Sequence, residues 1–424
     1  MPKICMVGTG YVGLVSGACL ADFGNTVICV DIDAERIENI KKGIMPIYEP
    51  GLKELVRRNY DAGRLRVTTD LASSVRESQV VFSAVGTPMG GDGAADLKAI
   101  REVAKDVAMN MDDYKIFVQK STVPVGTSEE VGKIIRENRK GDIPFDLVSN
   151  PEFLREGSAI EDFMRPNRVV IGVESERARE IMREIYRPLY LLETPIVFTS
   201  IRTAELVKYA SNAFLAVKIS FINEISDLCE KVGADVSEVA RAIGLDKRIG
   251  PKFLHAGVGY GGSCLPKDVS AILHTADGAK SPLRVIRAAS DVNESRVDAL
   301  MRKLTDETGG IEGRTFAILG LSFKPNTDDL RHAPSLKLID RLSEKGGIVR
   351  AYDPIAMENA RREYGGRVEY AGDAYEAMKD ADALILMTEW NEFRQLDLEK
   401  IKSLLKAPVV IDCRNIYKPD LMKR

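Results

Sequence analysis

The chain has 424 residues, 45% of them hydrophobic and 29% charged, a globular composition whose length predicts two or three domains of about 100–200 residues each. Its net charge of -3 excludes a general nucleic-acid binder, which carries a basic excess, while leaving room for a local basic pocket for phosphates. No apolar run reaches the roughly 20 residues that span a bilayer, and the opening MPKICMVG lacks the apolar segment and cleavage site of a signal peptide, so a cytoplasmic protein without a membrane partner is expected.

From residue 1 to about 195, short β-branched runs alternate with amphipathic segments, the pattern of a parallel sheet with crossover helices. Strands are predicted over 3–7, 26–31, 80–86, 116–120 and 147–149. Gly8-Thr9-Gly10-Tyr11-Val12-Gly13 follows the first strand and opens a helix. Such glycines permit a tight turn and close backbone approach to a pyrophosphate. The next strand ends on Asp31, roughly 20 residues beyond the glycines, where a carboxylate accepts hydrogen bonds from the adenine ribose and repels a 2′-phosphate. NAD is therefore expected rather than NADP. A turn that serves only helix–strand packing explains the glycines but not the acid. Gly86-Thr87-Pro88 and Ser121-Thr122-Val123-Pro124 close later strands, where ligands bind in such sheets. Thr87 and Thr122 are candidates for the cofactor cleft, against plain capped turns. In Asn150-Pro151-Glu152-Phe153-Leu154-Arg155-Glu156-Gly157, Glu152 and Glu156 suit proton transfer or water ordering, or equally the acidic first turn of a helix.

From about 200 to 300 the pattern is helical, and 203–231, without Gly or Pro and followed by Gly233, reads as one long helix. Lys208 and Asn212 share a face of it, and Asn223 returns to that face about three turns on. Their neighbours Leu206, Val207, Phe214, Leu215, Val217 and Ile219 are apolar, so a polar stripe on an otherwise buried helix is expected, costly unless paired. It reads either as an interhelical network or as an oxyanion clamp in which Lys208 and Asn212 stabilise a developing alkoxide. Gly257-Val258-Gly259-Tyr260-Gly261-Gly262-Ser263-Cys264-Leu265-Pro266-Lys267-Asp268 follows. Its glycines have no side chains to pack and suit backbone that turns sharply or lies close to a ligand. Cys264 stands just after them with Lys267 close behind, and a cation favours the nucleophilic thiolate; a glycine loop with an incidental cysteine is the plain alternative. Cys5, Cys19 and Cys29 read as small buried hydrophobes. His255, His274 and His332 are not at metal-ligand spacing, so no metal is expected.

From about 313 the strand pattern returns over 315–319, 348–353, 383–387 and 409–412, echoing the first region. Gly320 is followed by Leu321, Ser322 and Phe323, so this copy lacks GxGxxG and is a poor site for a second dinucleotide. In the loop from Phe323 to Arg331, Lys324 and Arg331 suit phosphate or sugar contacts, against a solvated charged loop. The expected fold is α/β, with two Rossmann-like doubly wound domains joined by a helical one, divided at 1–198, 199–305 and 306–424.

These residues resemble the UDP-glucose/GDP-mannose dehydrogenases, on GTGYVGL, VDID, Tyr48-Glu49-Pro50-Gly51, STVPVGT, NPEFLREGSAI, ELVKYASNAFLAVKISFINE, RIG, GYGGSCLPKD and GLSFKPNTDDLR, which span nearly the whole chain. The resemblance implies that the first domain binds NAD through Gly8, Gly10, Tyr11, Val12, Gly13, Asp31, Arg36, Thr87, Thr122 and Glu156. It implies that the last domain binds the nucleotide end of a nucleotide-sugar and that the helical middle forms a homodimer. The family's catalytic cysteine falls on Cys264, its lysine and asparagine on Lys208 and Asn212, its acids on Glu152 and Asp268, and its water-binding threonine on Thr122. Substrate contacts fall on Glu152, Phe153, Leu154, Lys208, Asn212, Phe253, Tyr260, Gly261, Phe323 and Lys324. Lys267 and Arg331 fall on ligand contacts with substrate or cofactor, and Arg248 on an arginine that reaches the partner subunit's substrate. The implied chemistry is four-electron, NAD-dependent oxidation of a sugar C6 alcohol to an acid through a thiohemiacetal and thioester on Cys264. The sugar patterns look most like those of UDP-glucose enzymes, with GDP-mannose and UDP-N-acetylhexosamines as alternatives. Two rival readings are a two-electron dehydrogenase of the 6-phosphogluconate or 3-hydroxyacid type and a non-catalytic NAD-binding sensor.

Overall fold

The computed structural model describes residues 2–422. The fold is α/β, with a Rossmann-like parallel sheet towards each end of the chain and helices between. Two compact units divide it: one runs up to Ser211 and takes in Ser270–Ala279, and the other comprises Asn212–Val269 and the chain from Lys280 on.

The first unit is built on eight strands, β1 (Lys3–Val7), β2 (Thr26–Val30), β3 (Leu65–Thr68), β4 (Val80–Ser83), β5 (Lys115–Gln119), β6 (Phe145–Ser149), β7 (Val169–Val173) and β8 (Ile196–Thr199), in the order β3-β2-β1-β4-β5-β6-β7-β8. Neighbours are parallel except β6 and β7. Helices cover both faces, which is why the central strands are apolar throughout rather than alternating. Ile4, Met6, Val27 and Cys29 face one core, and Cys5, Val7, Ile28 and Val30 face the other. Cys5, Cys19 and Cys29 are buried hydrophobes, as expected, and burial pushes the Cys29 thiol up to about 12. Strands β3, β7 and β8 escaped the sequence reading: β3 and β8 are four-residue edge strands, and β7 has Gly172 inside it.

The second unit carries five parallel strands, β9 (Thr315–Leu319), β10 (Ile348–Tyr352), β11 (Glu369–Tyr370), β12 (Ala383–Leu386) and β13 (Val410–Asp412), ordered β11-β10-β9-β12-β13. The echo between the two sheets extends to single hydrogen bonds. Gly8 N–H donates to Val30 O at 2.7 Å, and Gly320 N–H donates to Tyr352 O at 2.8 Å.

The long helix runs Ile201–Val232. It is not buried all round, which corrects the expectation from sequence. Its inner side is built largely from Ala204, Tyr209, Ala213, Ala216 and Ile222, while Leu206, Phe214, Phe221 and Leu228 are exposed. Phe214, Phe221 and Leu228 recur every two turns and so form one apolar stripe away from the core. No helix among the described residues is long and apolar enough to cross a membrane.

Candidate active site

In the first unit the three glycines after β1 do three different jobs. Gly8 has φ +98, and a Cβ there would meet Ala84 O at 2.8 Å; a Cβ on Gly13 would stand 1.9 Å from Gly8 O. These two are fixed by the turn and by helix–strand packing. A Cβ on Gly10 would meet nothing within 4 Å, so the space beside it, at the N-terminus of the helix Tyr11–Asp22, is open to a pyrophosphate. Asp31 closes the turn: its Oδ2 accepts from Thr9 N–H at 2.7 Å and from Thr9 Oγ1 at 2.8 Å, and its Oδ1 accepts from Asp33 N–H. Burial pushes this carboxyl up, but those donors and the Arg36 guanidinium, 3.2 Å away, more than cancel it and hold the group below the usual carboxylate range. Ile32, which sequence reading passed over, is almost fully exposed beside it. Thr87 and Thr122 are brought together, with Thr87 Oγ1 donating to Thr122 O at 3.0 Å. The donor set fits NAD.

The loop after β6 holds a buried ionic cluster. Lys208 Nζ lies 2.9 Å from Glu152 Oε1, with both side chains about nineteen-twentieths buried. Burial pushes the Glu152 carboxyl up, yet Lys208, the Leu154 N–H and the charge of Lys120 together bring it below its ordinary value. Two cations lie over the Phe153 ring, Lys208 Nζ at 5.3 Å and Arg168 Cζ at 3.6 Å from its centre. Lys120, Asn150, Glu152, Phe153, Arg168 and Tyr186 line one cavity. Lys120 was missed because it reads as an ordinary strand end. It is fully buried and donates to Asn150 Oδ1 at 3.2 Å, which also accepts from Tyr186 Oη; burial, reinforced by the Lys208 charge, pulls its ammonium from 10.5 to about 8 against the pull of Glu152.

In the second unit Cys264 is half-buried and immediately precedes the helix Leu265–Gly278. Its carbonyl accepts from Asp268 N–H at 2.9 Å, so the residue sits at the positive end of the helix dipole, which stabilises negative charge. Asp268 is completely buried; its Oδ2 accepts from Asn212 Nδ2 at 2.6 Å and its Oδ1 from Lys267 Nζ at 2.5 Å. Lys267 is thus committed to Asp268 rather than standing as a lone cation for the thiol. Lys208 and Asn212, expected as an oxyanion clamp, are each tied to a carboxylate here. Asn223, the third member of the stripe, accepts from Gly257 N–H.

The glycine run packs closely against the rest of the protein. A Cβ on Gly257 would meet Cys413 O at 2.9 Å, on Gly259 Asn293 Oδ1 at 2.7 Å, on Gly261 His332 O at 2.4 Å, and on Gly262 the Phe323 ring at 2.7 Å. All four approach protein closely, and Gly259 and Gly262 have positive φ, the sharply turning backbone that glycine permits. Asn293 grips the loop by accepting from Tyr260 N–H and donating to Tyr260 O. Among the other candidates, Phe253 is held at φ +64, a strained conformation for a bulky residue. Lys324 lies over the Phe323 ring, Arg331 is ion-paired with Asp329, and the exposed Arg248 with Asp246. Glu156 carries charge close enough to Tyr11 to act on its hydroxyl.

The second sheet's counterpart of the cofactor turn is closed. Asp353, matching Asp31, is buried; its Oδ2 accepts from Leu321 N–H, Ser322 N–H, Ser322 Oγ and Trp390 Nε1. A Cβ on Gly320 would stand 2.3 Å from the Thr388 side chain.

Residues 2–190 match the family model for the NAD binding domain of the UDP-glucose/GDP-mannose dehydrogenases, 202–295 that for their central domain, and 317–419 that for their UDP binding domain. The chain is 56% identical to a UDP-glucose 6-dehydrogenase of Rhizobium meliloti (strain 1021), over 99% of this chain and 96% of that protein. It is 49% identical to one of Bacillus subtilis (strain 168), over 100% of this chain and 91% of that protein. The solved structure of a UDP-glucose dehydrogenase from the hyperthermophilic archaeon Pyrobaculum islandicum superposes with a TM-score of 0.94 at 38% identity, covering 99% of this chain and 96% of that chain.

Proposed function

The chain belongs to the UDP-glucose/GDP-mannose dehydrogenase family, and on that premise we propose that it oxidises UDP-glucose at C6 to UDP-glucuronate, removing four electrons with Cys264 as the covalent centre. The observation that carries this reading is the half-buried Cys264 at the head of a helix, one turn from the buried Asp268 that Asn212 and Lys267 hold. NAD, when bound at the glycine turn and Asp31, supplies the hydride acceptor for both oxidations. After the first, the Cys264 sulfur adds to the aldehyde carbon and the former carbonyl oxygen becomes the hydroxyl of a thiohemiacetal. Loss of hydride from that carbon and of the hydroxyl proton gives a thioester; water then adds, the carboxylate forms and the thiol leaves. Lys208 and Asn212 offer a cation and an amide donor for the oxyanions, on consecutive turns of one helix. Glu152 and Asp268 are the acids for activating water, with Thr122 to place it.

Domains divided at 1–198, 199–305 and 306–424 assign NAD to the first, linkage and dimerisation to the second, and the nucleotide to the third through Phe323, Lys324 and Arg331. The exposed apolar stripe of Phe214, Phe221 and Leu228 supports a homodimer through the long helix. The test is the yield of NADH with limiting UDP-glucose, beside GDP-mannose and UDP-N-acetylglucosamine. Two NADH per UDP-glucose are expected. One NADH would remove Cys264 from its role and favour a two-electron dehydrogenase; none would overturn the choice of sugar.

A further inference from the structure

We propose that Glu49 and Tyr11 form a strut that ties the cofactor turn to the Glu152–Gly157 loop, so that binding of NAD orders the loop that meets the substrate. The substrate side of this inference rests on the function proposed above; the strut itself does not. Glu49, from the Tyr48-Glu49-Pro50-Gly51 motif, has no part in the chemistry, yet it is 6% exposed in a loop between two helices. A carboxylate is buried only where donors compensate its lost hydration. Here they come from two distant places. Tyr11 Oη donates to Glu49 Oε2; Gly157 N–H donates to the same oxygen at 2.7 Å, and Ala159 N–H donates to Oε1 at 2.7 Å. Gly157 N–H also reaches Tyr11 Oη at 2.8 Å. Burial first, then the bond to Glu49, pushes the Tyr11 hydroxyl far above its ordinary range, so it remains a donor.

Both ends of this arrangement matter. Tyr11 is the first residue of the helix whose N-terminus follows Gly10. Gly157, at φ +78, closes the loop that begins with Glu152 and carries Phe153 and Leu154. The Tyr11 ring also packs in the apolar core alongside Leu154 and Ile160, and a phenylalanine would keep that packing. The hydroxyl adds a directional link between two turns far apart in sequence. A ligand that fixes one turn lowers the ordering cost of the other, which is positive coupling without a large rearrangement. Glu49 and Tyr11 are in this role positioning residues.

Hydrogen exchange of the 157–160 amides in the full chain, with and without NADH, reads the strut independently of any sugar. In the wild type NADH is expected to slow exchange of Gly157 and Ala159 about tenfold (about 1.4 kcal/mol). In Tyr11→Phe, which keeps the ring, the added protection at saturating NADH falls below about twofold; UDP-glucose affinity then no longer rises with NADH. Glu49→Gln serves if Tyr11→Phe does not fold. It keeps an oxygen acceptor but loses the charge, and partial protection is expected. Equal NADH-induced protection in wild type and Tyr11→Phe, or none in the wild type, overturns the strut. A wild type that protects these amides but yields no NADH from UDP-glucose overturns the proposed substrate and leaves the strut standing.

Discussion

Replacing Lys208 by Met removes the ammonium that Glu152 depends on while keeping most of the side chain's bulk. Both partners are about nineteen-twentieths buried, so the pair is not screened as a surface bridge is. Breaking a buried pair from one side costs about 3–5 kcal/mol, because the remaining charge is left uncompensated. Two features reduce the loss: the charge of Lys120 still acts on Glu152, and the Leu154 N–H still donates to it. The expected deficit is therefore about 3 kcal/mol near neutral pH, at the lower end of that range. Its pH dependence has a definite sign. In the intact protein the folded carboxyl lies below its ordinary 4.5, so its contribution is present above that value and lost as pH falls through the folded one. Without Lys208 burial dominates and the folded value rises, so the variant's deficit is full near neutral pH and shrinks on acidification as the carboxyl takes up a proton. Urea unfolding followed by far-ultraviolet circular dichroism at about pH 8 and about pH 5 measures both. A deficit below about 1 kcal/mol, the size of an exposed pair, or one that does not shrink at the lower pH, would refute the account.

Three other outcomes follow from particular contacts. Cys264→Ser should abolish formation of the acid, with NADH and product counted in a single turnover; full turnover would sink the covalent route. Asp31→Ala should lower kcat/KM for NAD by about tenfold to a hundredfold, the value of charge-assisted hydrogen bonds, and raise the relative use of NADP; an unchanged ratio would remove Asp31 from cofactor choice. Lys120, ordinarily 10.5 and pulled to about 8, costs the fold most while charged in both states. Wild-type stability should therefore rise as pH climbs from about 8 towards 10.5, a rise that Lys120→Met lacks in urea unfolding; equal slopes would refute the shift.

Residue spacing alone exposed the cofactor turn, because a strand, three glycines and an acid at a strand end lie within one short stretch of chain. The face shared by Lys208 and Asn212 was equally legible from helical period. Their partners were not: Glu152 and Asp268 each lie 56 residues from the side chain they bind, in opposite directions along the chain. Periodicity says nothing about which carboxylate arrives. The glycine run before Cys264 is legible as backbone that turns sharply, but nothing in residue order signals that His332 O and the Phe323 ring occupy the space a side chain would take. Lys120 gave no signal, because nothing in its neighbours' residue types foretells complete burial. Strands β3, β8 and β11 are edge strands with exposed or half-exposed positions, so they lack the continuous apolar run of the central strands.

The two sheets put the same strand-end acid to different uses. Asp31 and Asp353 occupy the same strand-end position and grip the turn before them through the same kind of backbone N–H. What separates them arrives from much later in the chain: Trp390 lays its indole N–H on Asp353, and Thr388 fills the space above Gly320. An acid at the end of a second strand is thus a latent ligand-binding group whose fate is decided by whatever side chain lies over it. In the C-terminal unit that acid acts as a rivet, pinned by the indole laid over it.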